Sequence, residues 1–243
     1  MELEDRVALV TGGGSGIGLG VAKALAAEGC RVAITGRNQA RLDGAVTGWD
    51  AARPPLAGAC DVADREQVNA LFARIAEDLG PVDILVNNAG INVPKRMMAD
   101  LDPAEFDRIM AINATGTFNC AHAALPSMRR RGEGLIVNIV SIAGKRAMKL
   151  GGVGYCAAKF AQAALGTTVG LEERAHGIRV TNIYPGEVET PILDQRPVPV
   201  PAEKRAQMLK PADIAACVVM VAMLPSRVLV PELVITPLYQ EFA

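Results

Sequence analysis

Val7-Ala8-Leu9-Val10-Thr11-Gly12-Gly13-Gly14-Ser15-Gly16-Ile17-Gly18 runs from a short apolar stretch straight into a glycine-rich turn, and an alanine- and leucine-rich stretch follows it. The apolar run reads as a buried strand and the stretch after the turn as a helix. Glycines let backbone amides come close to a phosphate. The start of a helix adds unsatisfied N–H groups and the positive end of a dipole. A glycine-rich turn can also be no more than a tight strand-to-helix connection. Its position after the first strand and at the opening of a helix is the context that dinucleotide binding requires.

The rest of the chain repeats the alternation. Runs rich in Val, Ile and Leu predict strands near residues 6–11, 31–35, 56–60, 82–86, 134–140, 178–184 and 231–236. Helices are predicted over 16–29, 38–48, 103–131, 153–175 and 211–224. Another follows Asp64, where Val68, Leu71, Phe72, Ile75 and Leu79 recur at helical spacing before Gly80-Pro81. Short buried strands alternating with longer amphipathic helices imply an α/β protein with a parallel sheet. No repeat or linker interrupts the pattern, so residues 1–243 are expected to form one domain. The irregular part is 186–211, with Pro191, Pro197, Pro199, Pro201 and Pro211 and room for one short helix from Ala202 to Leu209. A long loop at the C-terminal edge of a parallel sheet lies where ligands bind, and it reads as a substrate lid.

Composition narrows the function. A formal net charge of −1 over 243 residues gives no electrostatic reason to expect nucleic acid or an anionic membrane as partner. The basic run Arg129 to Arg131 precedes a glycine, where it complements a helix C-terminus. The five cysteines are scattered and lack CxxC pairing, which argues against a disulfide framework or a zinc site. The N-terminus lacks signal-peptide character, and no apolar segment is long enough to span a membrane, so a soluble, cytoplasmic protein is expected.

Two further positions carry chemistry. The second strand ends at Gly36-Arg37, where NAD-binding turns carry an acid for the adenosine ribose. The glycine removes a carboxylate that would repel a 2′-phosphate, and Arg37 supplies a guanidinium to pair with one. NADP(H) is therefore favoured over NAD(H), the other reading being that Arg37 only opens the next helix. At the end of the third strand Asp61 could accept from an adenine amino group and Val62 could pack on the ring; a plain helix cap serves equally for the acid. Tyr155 and Lys159 lie four residues apart on a helix, which sets a phenol and an ammonium on one face. A fixed positive charge there favours the phenolate and suits the tyrosine to general acid/base work.

With these motifs in hand, the chain resembles the short-chain dehydrogenase/reductase family in its compact one-domain form. The match covers Thr11-Gly-x-x-x-Gly-x-Gly18, Asn87-Asn88-Ala89-Gly90, Asn113 within a helix, Ser141 after the fifth strand, Tyr155-x-x-x-Lys159 and Pro185-Gly186 after the sixth. The resemblance implies a Rossmann-type, doubly wound, seven-stranded parallel sheet with helices on both faces, and a homo-oligomer, tetramer or dimer. It implies catalytic roles for Asn113, Ser141, Tyr155 and Lys159. Gly12, Ser15, Gly16, Ile17, Gly18, Arg37, Asp61, Val62, Asn88, Ala89, Gly90, Pro185, Gly186, Val188 and Thr190 would join Tyr155 and Lys159 at the cofactor.

In the implied reaction a carbonyl and a secondary alcohol interconvert by hydride transfer, with Tyr155 moving the proton and Ser141 holding the oxygen. Lys159 would lower the tyrosine pKa, and Asn113, at a helix irregularity, would hold a water linking Lys159 to solvent. Two departures stand out. Ser141 lies one residue farther from Tyr155 than is commonest in the family, and Val230-Pro-Glu-Leu-Val-Ile-Thr-Pro237 lacks the usual glycine turn of the tail. The pocket should draw on Asn92 and Val93, Ile142 to Val153 and Glu187 to Leu193. Lys145, Arg146 and Lys149 either face an anionic substrate or lie solvated on the loop. A narrower reading is a 3-oxoacyl-carrier-protein reductase that docks its carrier on Arg129 to Arg131. A different class is a non-catalytic redox sensor.

Overall fold

The computed structural model describes residues 2–49 and 53–241. Seven strands, β1 (Val7–Thr11), β2 (Arg31–Gly36), β3 (Leu56–Ala59), β4 (Ile84–Asn87), β5 (Gly134–Ile139), β6 (Ile178–Pro185) and β7 (Glu232–Ile235), form one parallel sheet. Their order is β3-β2-β1-β4-β5-β6-β7. The chain moves outward from β1 to β3, then returns to the other side of β1 and moves outward again. That reversal opens a crevice beyond the C-terminal ends of β1 and β4, the switch point where such sheets bind ligands.

The strands read as continuous apolar runs because both faces of the sheet are covered. In β1, Ala8 and Val10 join the core made with Val21 and Leu25 of α1 (Gly16–Ala27), Leu42 of α2 (Gln39–Val46) and Ile214, Val218 and Val221 of α8 (Pro211–Met223). Val7 and Leu9 point the other way. They pack with Val68, Leu71 and Ile75 of α3 (Arg65–Asp78) and with Cys120, Ala124 and Met128 of α5 (Gly116–Arg131). Each buried Val, Leu, Ile or Met among them contributes about 1.5–3 kcal/mol.

Helix boundaries follow local chemistry. The Asn38 side chain accepts from Arg41 N–H to start α2, Asp64 accepts from Glu66 and Gln67 N–H to start α3, and Asp102 with Pro103 opens α4 (Pro103–Met110). α5 ends on Gly132 at φ 69°, in the left-handed region. Its last turn is tied down: Arg129 pairs with Glu173, and Arg131 Nη2 donates to Val82 O at 2.7 Å.

The single helix expected over 103–131 is interrupted. Ala111–Thr115 forms a π-helical turn between α4 and α5. Asn113 sits in that turn, and its amide bonds outside the helix: Oδ1 accepts from Ile91 N–H at 2.8 Å and Nδ2 donates to Ile91 O at 3.0 Å. The predicted helix in the proline-rich loop is α7 (Ala202–Gln207), preceded by a 3-10 turn over Pro191–Gln195. Trp49 closes the end of α2, its indole N–H donating to Ala45 O at 2.8 Å.

Polar side chains also set the register. Asn87, Asn138 and Asn182 occupy matched positions on β4, β5 and β6. Asn87 Nδ2 donates to Asn138 Oδ1 at 3.0 Å, Asn138 Nδ2 to Asn182 Oδ1 at 2.9 Å, and Asn182 Nδ2 to Ala163 O on α6 (Val153–Glu172) at 3.0 Å. A one-residue slip would strand buried amides without partners, so the ladder penalises misregistered sheets.

Candidate active site

A cavity of about 580 Å³ opens at the switch point and runs along the C-terminal edge of the sheet. One end is the glycine turn. Gly12 and Gly16 have φ of 64° and 54°, a conformation that side chains rarely adopt. A Cβ at Gly12 would lie 2.9 Å from Asn88 Nδ2 and 3.0 Å from Ala89 Cα. The turn is thus packed directly against Asn88 and Ala89, while Ser15, Gly16 and Ile17 at the head of α1 line the cavity. Thr11 fastens the two loops, its hydroxyl accepting from the N–H groups of Asn88 and Ala89 at 3.0 Å each.

Arg37, just before α2, lies at the same end, joined by Arg41 in the first turn of α2. Arg41 carried no sequence signal, because Arg37 precedes the Asn38 cap and the helical i,i+4 rule does not join the two. Beside these, Asn88, Ala89, Gly90, Ser141, Tyr155, Lys159, Pro185, Gly186, Val188 and Thr190 line the cavity. Gly18, Asp61, Val62 and Asn113 do not. Gly18 is pressed on Gly12 O, where a Cβ would lie at 2.3 Å. Asp61 turns its carboxylate back to accept from Ala63 N–H at 3.0 Å, and Val62 is buried against Gly116.

The candidate catalytic side chains Ser141, Tyr155 and Lys159 line this one cavity together. β5 ends in Ile139, Ser141 follows two residues later, and Tyr155 is in the first turn of α6. The loop between them turns sharply through a 3-10 segment, Ile142–Gly144, which Ser141 caps by accepting from Ala143 N–H at 3.1 Å. Burial pushes the Tyr155 phenol up; the Ser141 hydroxyl and, more weakly, the Arg96 charge pull it back.

Lys159 is 3 % exposed, and burial lowers its ammonium to about 7. Nζ lies 5.8 Å from the centre of the Tyr155 ring. It donates to Ile139 O at 2.9 Å and to Gln162 Oε1 at 2.7 Å. Gln162 Nε2 in turn donates to Thr117 Oγ1 at 3.0 Å, and that hydroxyl donates to Asn113 O at 3.0 Å. Lys159 is therefore joined to Asn113 through two buried side chains. Neither Gln162 nor Thr117 carried a sequence signal, since the link exists only once α6 packs against the π-helical turn.

Asn92, Ile142, Ala143, Met148, Leu150, Gly151 and the segment Glu187 to Leu193 complete the wall, except that Glu189 does not line it. Val93 is buried without lining it. Lys145, Arg146 and Lys149 are also outside the lining; Lys145 pairs with Glu232 and lies over the Tyr184 ring. Among the described residues, the basic ones that line the cavity are Arg37, Arg41, Arg96, Arg108, Lys159 and Arg196, against the single acid Glu187. The C-terminal tail reaches in as well: Gln240 Oε1 accepts from Glu187 N–H at 2.9 Å, and the Tyr239 hydroxyl donates to the Glu187 carboxylate at 2.6 Å.

Residues 6–198 match the family model described as short chain dehydrogenase. The chain is 35% identical over 244 residues to the short-chain reductase protein NovJ of Streptomyces niveus, covering 95% of this chain and 92% of that protein. Among solved structures, an alcohol dehydrogenase from the archaeon Thermococcus sibiricus complexed with 5-hydroxy-NADP superposes with a TM-score of 0.87 at 32% identity, covering 98% and 99% of the two chains. A 3-ketoacyl-(acyl-carrier-protein) reductase from Brucella melitensis complexed with NADH superposes with a TM-score of 0.87 at 31% identity, covering 97% and 98%.

Proposed function

Because the chain belongs to the short-chain dehydrogenase family, oxidoreductases that interconvert carbonyls and alcohols with a nicotinamide dinucleotide, we propose that it is an NADP(H)-dependent carbonyl reductase or alcohol dehydrogenase. The observation that carries this reading is the meeting of Ser141, Tyr155 and Lys159 in one cavity with the glycine turn and two arginines. The turn fits the group: its positive-φ glycines bring backbone close to the cavity at a helix N-terminus, where a pyrophosphate is favoured. Arg37 and Arg41 would take a 2′-phosphate, Asn88 to Gly90 the adenosine side, and Pro185 to Thr190 the nicotinamide. When bound, the cofactor donates or accepts the hydride.

The chain's own residues handle the proton. Ser141 holds the substrate oxygen, and Tyr155 gives it a proton during reduction or takes one during oxidation. Lys159, held by Gln162, supplies the positive charge below the phenol when protonated and connects it toward Asn113. The loop over 186–211 covers the substrate. The whole chain acts as one domain and as a homo-oligomer, with Phe118 on α5 and Phe160 and Leu171 on α6 exposed to meet a second copy. All five cysteines are unpaired, which suits the reducing cytoplasm. Among the described residues no helix is long and apolar enough to cross a membrane. The narrower carrier-protein reading draws support from the similar 3-ketoacyl-(acyl-carrier-protein) reductase and would use exposed Arg130, since in the same basic run Arg129 pairs with Glu173 and Arg131 donates to Val82 O.

The test is titration of the purified protein with NADPH and NADH, followed by a panel of ketones and secondary alcohols monitored at the nicotinamide absorbance. Tighter NADPH binding with turnover of a panel member is expected. Binding of neither nucleotide would overturn the assignment, and binding without turnover across the panel would favour the sensor.

A further inference from the structure

Arg96 is the one strongly buried guanidinium on the cavity wall, at 5% exposure, and it has no carboxylate partner among the described residues. Its Nε donates to Val93 O at 2.8 Å, its Nη1 to Leu150 O at 3.1 Å and its Nη2 to Gln195 O. Three carbonyls hold it in place. They neutralise no charge, and they leave two of the five guanidinium N–H donors unused. A buried charge is costly unless paired, so this arrangement is poised for an anion from outside the chain.

The neighbouring charges reinforce this. Arg196 also lines the cavity, and its charge and that of Arg96 oppose each other. The nearby acid, Glu187, is taken: it pairs with Arg196 at 2.8 Å and Lys204 at 3.2 Å and accepts from the Tyr239 hydroxyl. Arg96 is also fixed close to the reacting end. Its carbonyl accepts from Val153 N–H at 3.3 Å, and a Cβ on Gly152 would lie 2.6 Å from its own Cβ. Those contacts clamp it to the start of α6, whose first turn carries Tyr155.

We propose that Arg96 binds a carboxylate of the substrate, so that the chain acts on short hydroxy acids and keto acids in preference to neutral alcohols and ketones. This rests on the carbonyl–alcohol reading above and narrows it. A planar carboxylate matches the spare N–H groups of a guanidinium fixed on three sides. Lys145, Arg146 and Lys149, the cations that the loop sequence suggests for such a role, lie outside the cavity lining.

The experiment compares 3-hydroxybutanoate and 4-hydroxypentanoate with their amides, alongside neutral cyclohexanol, all with NADP+ and the wild-type protein. The acids should exceed their amides in kcat/KM by about tenfold or more, and Arg96→Met should lower acid turnover about tenfold more than amide turnover. Arg96→Lys should restore part of the preference. Amides or cyclohexanol turned over as well as the acids would overturn the proposal while leaving the oxidoreductase reading intact. No turnover of any compound would count against both. Since Arg96 joins three loops, a variant that fails to fold is replaced by competition on the wild type. Butanoate should inhibit amide oxidation where butanamide does not, and equal inhibition or none would refute carboxylate recognition.

Discussion

Replacing Gln162 by Leu tests how the buried ammonium of Lys159 is held. Gln162 is fully buried, and its Oε1 is one of two acceptors on Lys159 Nζ, at 2.7 Å. Burial sets the lysine at about 7, against an ordinary value of 10.5. The folded protein therefore binds fewer protons than the unfolded chain between about pH 7 and 10.5. This group makes stability rise with pH across that window and holds its full penalty below it. A hydrogen bond to a charged group contributes about 1.5–3 kcal/mol, which corresponds to roughly one to two pKa units. Losing it should push Lys159 down by about that much. Near pH 9 the lysine is neutral in both folded proteins, and the variant loses only a neutral bond and some packing. At pH 6 the wild-type lysine is protonated and the variant's is largely not, which adds about 1 kcal/mol to the stability difference. Denaturant unfolding at both pH values measures it, and the packing cost cancels in the comparison. Gln162→Glu should reverse the sign, because a carboxylate favours the ammonium. A stability loss in Gln162→Leu that is the same at pH 6 and pH 9 would refute the reasoning and leave Gln162 a packing residue.

Three other outcomes follow from the same structure. Tyr155→Phe should lower turnover by about 10²-fold or more while leaving nucleotide titration unchanged; an active variant would remove the phenol from the chemistry. Arg37→Ala should weaken NADPH binding about tenfold or more and leave NADH binding unchanged, as read by fluorescence titration, with a smaller effect from Arg41→Ala. Gly166→Ala should lower stability by about 1–3 kcal/mol, because its Cβ would lie 2.1 Å from Asn182 Oδ1 and 2.4 Å from Asn138 Nδ2. An unchanged melting temperature would show that the asparagine ladder does not set the stability of β4 to β6.

What the sequence revealed about this fold follows from burial on both faces of the sheet. Such strands announce themselves as unbroken Val, Ile and Leu runs, and the glycine turn after β1 marks the ligand-binding edge without help from tertiary structure. The π-helical turn is absent from the helical spacing of 103–131; only the family resemblance implies an irregularity at Asn113, where that side chain bonds to Ile91. Arg96 and Gln162 were silent because their meaning depends on what other elements bring beside them. The Tyr155 and Lys159 pair shows where linear reasoning stops. Four-residue spacing puts the two side chains on one face, and a lysine on a helix surface would be a fixed charge. Here Lys159 lies beneath the site with its ammonium near neutrality at about pH 7, while burial raises the tyrosine. The charge offered to the phenol is thus itself titratable. Burial lowers that ammonium while Ile139 O and Gln162 accept from it, so the groups that act on the Tyr155 and Lys159 pair are largely outside the motif that announces it.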